Sequence, residues 1–165
     1  MTSFFKKLVA KKEKSPSRQV QDVIDNLRLL AEAETNISVF YRLCAEATGD
    51  EANMWGPMAT AELRHAENLK KMSSFIAEEP ELYRPGYSFN PASIRLFSLH
   101  MQNLAEELKA GKIPREKLFA IAQEIENSAV KLNVVKIVET VKKEYNEIAR
   151  QKDSESQDHR EMQYL

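Results

Sequence analysis

Glu62-Leu63-Arg64-His65 is the stretch on which the fold turns. Residues three apart on an α-helix lie about one turn from each other, so Glu62 and His65 project from the same face. The other residues of that face are Met58, Ala61, Leu69 and Met72, all apolar. A carboxylate and an imidazole therefore point where a helix of a globular protein normally buries Leu or Met. Burying a charge is costly unless it is paired or holds a metal. Glu-x-x-His is a short motif, and an ordinary surface pair is the plain alternative. The case for a ligand pair depends on what the other helices bring to it.

The helix around this stretch is expected over residues 51 to 77, with Gly56-Pro57 near its start. Either the helix kinks there or its main segment begins at Pro57, a favoured first-turn residue. A long helix precedes it, from about 17 to 48, with Ser17 as a cap and Gly49-Asp50 as its end. Val20, Val23, Ile24, Leu27, Leu30, Ala31, Ile37, Phe40, Tyr41 and Cys44 follow helical spacing there. Glu34 interrupts this apolar stripe, whereas Glu32 points away from it to solvent.

Residues 78 to 91 hold Pro80, Pro85, Gly86 and Pro91 and are expected to form a loop. A shorter helix follows over 93 to 110, ending at Gly111. A third long helix is expected over 115 to 138, with Leu118, Phe119, Ala122, Ile125, Ala129, Leu132 and Val135 apolar and Glu126 interrupting them. One unbroken helix from there to residue 165 would be about 75 Å long, too long for a compact domain. A turn is therefore expected between Val138 and Lys143, with Thr140 capping a fourth helix that carries Tyr145, Ile148 and His159.

The bulk numbers agree with a helical domain. At 165 residues the chain can bury a sizeable core, and only 4 Gly and 6 Pro argue against a turn-rich β-fold. A net charge of −1 gives no argument for a nucleic-acid partner. Cys44 stands alone, which excludes an intrachain disulfide or a Cys-x-x-Cys site and suits a small core residue. No apolar run reaches the roughly 20 residues of a membrane span. The first residues lack the apolar run and cleavage site of a secretory signal, so a cytoplasmic protein is expected. Residues 1 to 16 form a short basic amphipathic segment, read as a frayed or partner-docked terminus rather than a membrane anchor. The remaining chain, 17 to 165, reads as one domain.

The two halves of the chain repeat a pattern. Glu34-Thr-Asn-Ile-Ser-Val-Phe40 and Glu126-Asn-Ser-Ala-Val-Lys-Leu132 each place an acid six residues before a large apolar residue. His65 follows Glu34 by 31 positions, and His159 follows Glu126 by 33. An acid-bearing helix and then a His-bearing helix occur twice, with a long connection between them.

This pattern resembles the rubrerythrin and ferritin-like family of carboxylate-bridged di-iron proteins. There, a Glu from each of two bundle helices joins a Glu-x-x-His from each of the other two. The resemblance runs from Val20 to Leu165. It implies an all-α, ferritin-like antiparallel four-helix bundle, with a long crossover between helices 2 and 3 carrying an extra short helix. It implies one or two non-haem iron ions per chain as the cofactor. Glu34 and Glu126 would be single carboxylate ligands, Glu62 a bridging carboxylate, and His65 and His159 nitrogen ligands. An oxidoreductase of the peroxidase or ferroxidase type and a homodimer are also implied. The alternative is a non-catalytic metal-binding bundle or a degenerate scaffold.

Two departures bear on the chemistry. Ser156 stands three residues before His159, where the family has its second bridging Glu; Glu155 is adjacent, and a register slip or a local bulge would bring it inward. The four-Cys iron module of rubrerythrins is missing, so a redox role would take its electrons from a separate donor protein or from the iron itself. Tyr41, Asn36, Asn127 and Ser128 are candidates to orient the ligands. Arg64 and Arg160 are expected to face solvent, and His100 to be structural. The alternative reading of Glu34 and Glu126 is as buried acids paired with Lys or Arg.

Overall fold

The computed structural model describes residues 16–49, 54–86, 90–129 and 137–162, with the side chains of 129 and 155–162 outside that description. Among the described residues, five α-helices make up most of the structure: α1 (Arg18–Thr48), α2 (Trp55–Glu78), α3 (Pro91–Lys109), α4 (Leu118–Ala129) and α5 (Lys143–Met162). Two short strands, β1 (Tyr83–Pro85) and β2 (Val138–Thr140), pair antiparallel. No helix among the described residues is long and apolar enough to cross a membrane. The basic segment expected over residues 1 to 16 lies, except for Pro16, outside the described residues.

Local chemistry sets the helix ends. The Ser17 hydroxyl accepts from the Val20 amide at 3.3 Å, satisfying one of the unpaired N–H groups that open α1. Pro57 falls in the first turn of α2, where its missing N–H costs no intrahelical bond, so it belongs to the helix start. The Asn90 side chain accepts from the Ala92 amide at 3.0 Å, and Pro91 occupies the first position of α3. Gly111, just past α3, takes φ +68, a left-handed conformation that L side chains rarely adopt.

Two expectations need correction. The third long helix does not extend to Val138: residues 115–117 form a 3₁₀ turn, α4 covers Leu118–Ala129, and Val138 begins β2. Ile137, Val138, Thr140 and Val141 are β-branched and lose rotamer freedom in a helix, which favours a strand here. Thr140 is also not the cap of the next helix. It pairs with Tyr83 in the sheet, and its hydroxyl donates to the Leu82 carbonyl at 3.0 Å. The Asn146 side chain donates to the Thr140 carbonyl at 3.0 Å, and Lys142 pairs with Glu79. The sheet thus ties the connection after α2 to the start of α5.

The packing explains where the polar residues meet. α1 packs on α2 and α3, and α5 packs on α2 and α4. One apolar cluster joins the first half of α1 (Val20 to Ala33) to the last half of α2 (Ala66 to Ile76), with Tyr145 and Ala149 of α5. A second joins the last half of α1 (Ile37 to Cys44) to the start of α2 (Trp55 to Ala59), with Leu118, Ala122 and Ile125 of α4. Early α1 against late α2 means that the two helices run antiparallel. Between the clusters, Glu34 of α1 and Glu62 and His65 of α2 form a polar layer, each at most 3% exposed.

Cys44 is fully buried in the second cluster, and burial pushes its thiol up to about 12. A thiol reagent acts on the thiolate, so native protein is expected to resist labelling until it opens. Labelling that follows global unfolding in denaturant would agree. Rapid labelling of native protein would show that this cluster is open.

Candidate metal centre

Glu34, Glu62 and His65 each offer a ligand atom, and these atoms all lie within 4.8 Å of one another. Helical spacing on α2 aims Glu62 and His65 to one side, and His65 Nδ1 lies 3.1 Å from Glu62 Oε2. The antiparallel α1 brings Glu34 against them. Apolar neighbours, among them Leu69 and Met72 one and two turns along α2, exclude water from this side.

The arrangement is electrostatically crowded. Glu34 Oε1 accepts from the Lys152 ammonium at 2.9 Å, and both side chains are almost fully buried. Glu34 Oε2 has no hydrogen-bond donor among the described residues. Burial pushes the Glu34 carboxyl well above the ordinary range; Lys152 pulls it back, and the facing Glu62 pushes it up again. Burial also works against the Lys152 charge. The attraction of Glu34, with a smaller one from Glu62, outweighs it and keeps the ammonium protonated above the ordinary lysine range.

Glu126 is not one of the three members of this group. It is 3% exposed, and its Oε1 accepts from the Tyr41 hydroxyl at 2.7 Å. The Tyr41 phenol is held well above its usual range, first by burial, then by Glu126 and, more weakly, by Glu62. Tyr41 is thus bonded to Glu126 and feels the charge of Glu62. Replacing Tyr41 by Phe removes a donor from a buried carboxylate, which is expected to cost about 1–3 kcal/mol. A denaturant midpoint unchanged by Tyr41→Phe would show that this hydrogen bond contributes nothing.

The remaining candidates divide clearly. α5 carries Glu155 and His159, whose side chains lie outside the described residues. Tyr41 is the proposed orienting residue that reaches a ligand candidate. Asn36 donates to Ser98 at 2.7 Å, and Ser128 donates to the Glu124 carbonyl on an exposed surface. Asn127, Arg64 and His100 are exposed.

Lys152 is the residue that sequence reasoning missed. A signal was present: Tyr145, Ala149 and Lys152 fall at helical spacing, and all three are buried. Lys152 sits in a polar run, where a lysine is ordinarily solvated.

Carboxylate oxygens and an imidazole nitrogen suit iron, manganese or zinc. Two facing carboxylates with one oxygen lacking a donor fit a cation better than they fit each other. The residues present therefore fit at least one metal ion. No protein-family model matches this chain, and no curated protein or solved structure matches it.

Proposed function

We propose that this chain is a rubrerythrin-like, ferritin-like metal-binding protein that holds non-haem iron between its helices. α1, α2, α4 and α5 would form the four-helix bundle, with α3 carried by the crossover. The observation behind this reading is the buried group of Glu34, Glu62 and His65, in which Glu34 lies close to a second acid and its Oε2 lacks a donor among the described residues. That is an unfavourable arrangement for a structural core and a favourable one for a cation.

Glu34 Oε2, Glu62 and His65 would supply the ligands, with Glu126 held ready beside them by Tyr41. Bound iron would supply one-electron redox chemistry and an open position for peroxide or dioxygen. The packed apolar clusters on either side would exclude bulk water, and the Tyr41 hydroxyl would hold Glu126 in one orientation. On this reading the chain is a peroxidase- or ferroxidase-type oxidoreductase that draws electrons from a separate donor protein and works as a homodimer.

A second reading is a non-catalytic metal-binding bundle. The Lys152–Glu34 ion pair favours it, because a fixed ammonium already neutralises part of the acid cluster.

Elemental analysis of protein purified without chelator, with an anomalous-scattering map, tests the shared part. Iron at Glu34, Glu62 and His65 is expected. Protein that takes up no transition metal on anaerobic loading would overturn the proposal. Peroxide consumption by loaded protein with an added reductant separates the two readings: turnover favours the oxidoreductase, and stable metal without turnover favours the second.

A further inference from the structure

We infer that Lys152 is a built-in cation that takes the place of a second metal, so that the centre holds one divalent ion. The inference rests on the metal-binding reading above and deepens it. It stands on geometry and on a charge count.

The geometry is direct. The Lys152 Nζ sits 2.9 Å from Glu34 Oε1, and both side chains are almost fully buried. One oxygen of Glu34 is thus committed to an ammonium. The other, Oε2, has no donor among the described residues, and Glu34 belongs to the buried group that includes Glu62 and His65. Glu34 can therefore serve a metal on one side while Lys152 holds the other. A second ion bridged through Oε1 would have to displace the ammonium.

The charge count points the same way. Glu34, Glu62 and Glu126 are the buried acids, and Lys152 is the buried ammonium, among the described residues. Three carboxylates against one ammonium leave two negative charges, with His65 neutral as a ligand. One divalent ion balances them. Two would leave an excess of two positive charges in a region where unbalanced charge is costly.

The test counts ions. Metal-free, full-length protein is loaded anaerobically with Mn(II), analysed for metal per chain and examined by electron paramagnetic resonance. The wild type is expected to take one ion, with the six-line signal of an isolated Mn(II). Lys152→Arg keeps the charge and should also take one. Lys152→Glu exchanges the cation for a carboxylate and should take two, with the isolated signal lost to interaction between neighbouring ions. Two ions in the wild type, or one in folded Lys152→Glu, would overturn the role of Lys152 while leaving metal binding intact. No ion in the wild type would overturn the metal-binding reading itself, and this inference with it.

Lys152→Met guards against a misfolded acidic variant. It removes the charge that repels the incoming ion and frees Glu34 Oε1. Mn(II) is expected to bind about tenfold more tightly or better, as the repulsion between nearby like charges in a protein interior implies. Affinity equal to or below that of the wild type would count against the inference, because a merely structural lysine has no reason to weaken metal binding.

Discussion

Metal-free Lys152→Met is expected to lose about 3–5 kcal/mol of stability, the usual cost of removing one partner from a buried ion pair. That is a large fraction of the roughly 5–15 kcal/mol that separates folded from unfolded domains. For a chain of this size it corresponds to a thermal midpoint lower by about 6–20 °C. The cause lies in Glu34, which would be left buried beside Glu62 without its cation. The pH dependence has a definite sign. Burial holds the Glu34 carboxyl well above its ordinary value, so the folded state takes up a proton more readily than the unfolded one. Stability from such a group is present at low pH and is lost as pH rises through the folded-state value. The penalty of Lys152→Met should accordingly be smaller in acid than in alkali. Adding Glu34→Gln to the same chain should recover most of the loss, since no buried charge then lacks a partner. A single variant as stable as the wild type across that range would mean that water reaches Glu34 and the pair is not truly buried.

Glu62→Gln is expected to act in opposite directions on metal affinity and on metal-free stability. Removing a ligand carboxylate should weaken metal binding by at least the ~10–100-fold that loss of an outer contact alone costs. Without metal, the same change relieves the repulsion between Glu34 and Glu62 and offers an amide donor to Glu34 Oε2. Metal-free stability should then rise by about 0.5–2 kcal/mol, the range common for substitutions at destabilising functional sites. The gain in thermal midpoint on adding metal should nearly vanish, because stabilisation by a ligand follows its affinity for the folded state. Calorimetric titration and thermal unfolding on the same sample read both effects. A fall in metal-free stability would indicate that Glu62 is a structural acid satisfied by its surroundings rather than a ligand awaiting a cation.

The helices were legible because their periodicity is strong. Leu27, Leu30, Ile37 and Tyr41 share the buried stripe of α1 with Glu34, and the acid was identifiable because it interrupts this run of large side chains. The end of the third long helix was harder to see. No Gly or Pro marks it, and Val138 reads as its last apolar residue, with a turn to follow, until Tyr83 to Pro85 supply a partner edge. A strand of three residues is stabilised by its pairing, and pairing across the chain has no local signature.

Glu62 and His65 are linked to each other by the geometry of one helix, since three residues of α-helix turn both side chains to one side whatever surrounds them. Their burial beside Met58, Leu69 and Met72 follows from the same periodicity, so these features were determined by sequence alone. The partner of Glu34 was decided only by tertiary structure. A lysine in a polar run satisfies local rules equally well in water. It enters the core because Tyr145 and Ala149, earlier on the same face of α5, are drawn into the apolar cluster against α2. Once that face is buried, Lys152 must go with it, and a buried ammonium needs a carboxylate. Which carboxylate it meets depends on how two distant helices dock, and helical periodicity holds no information about that.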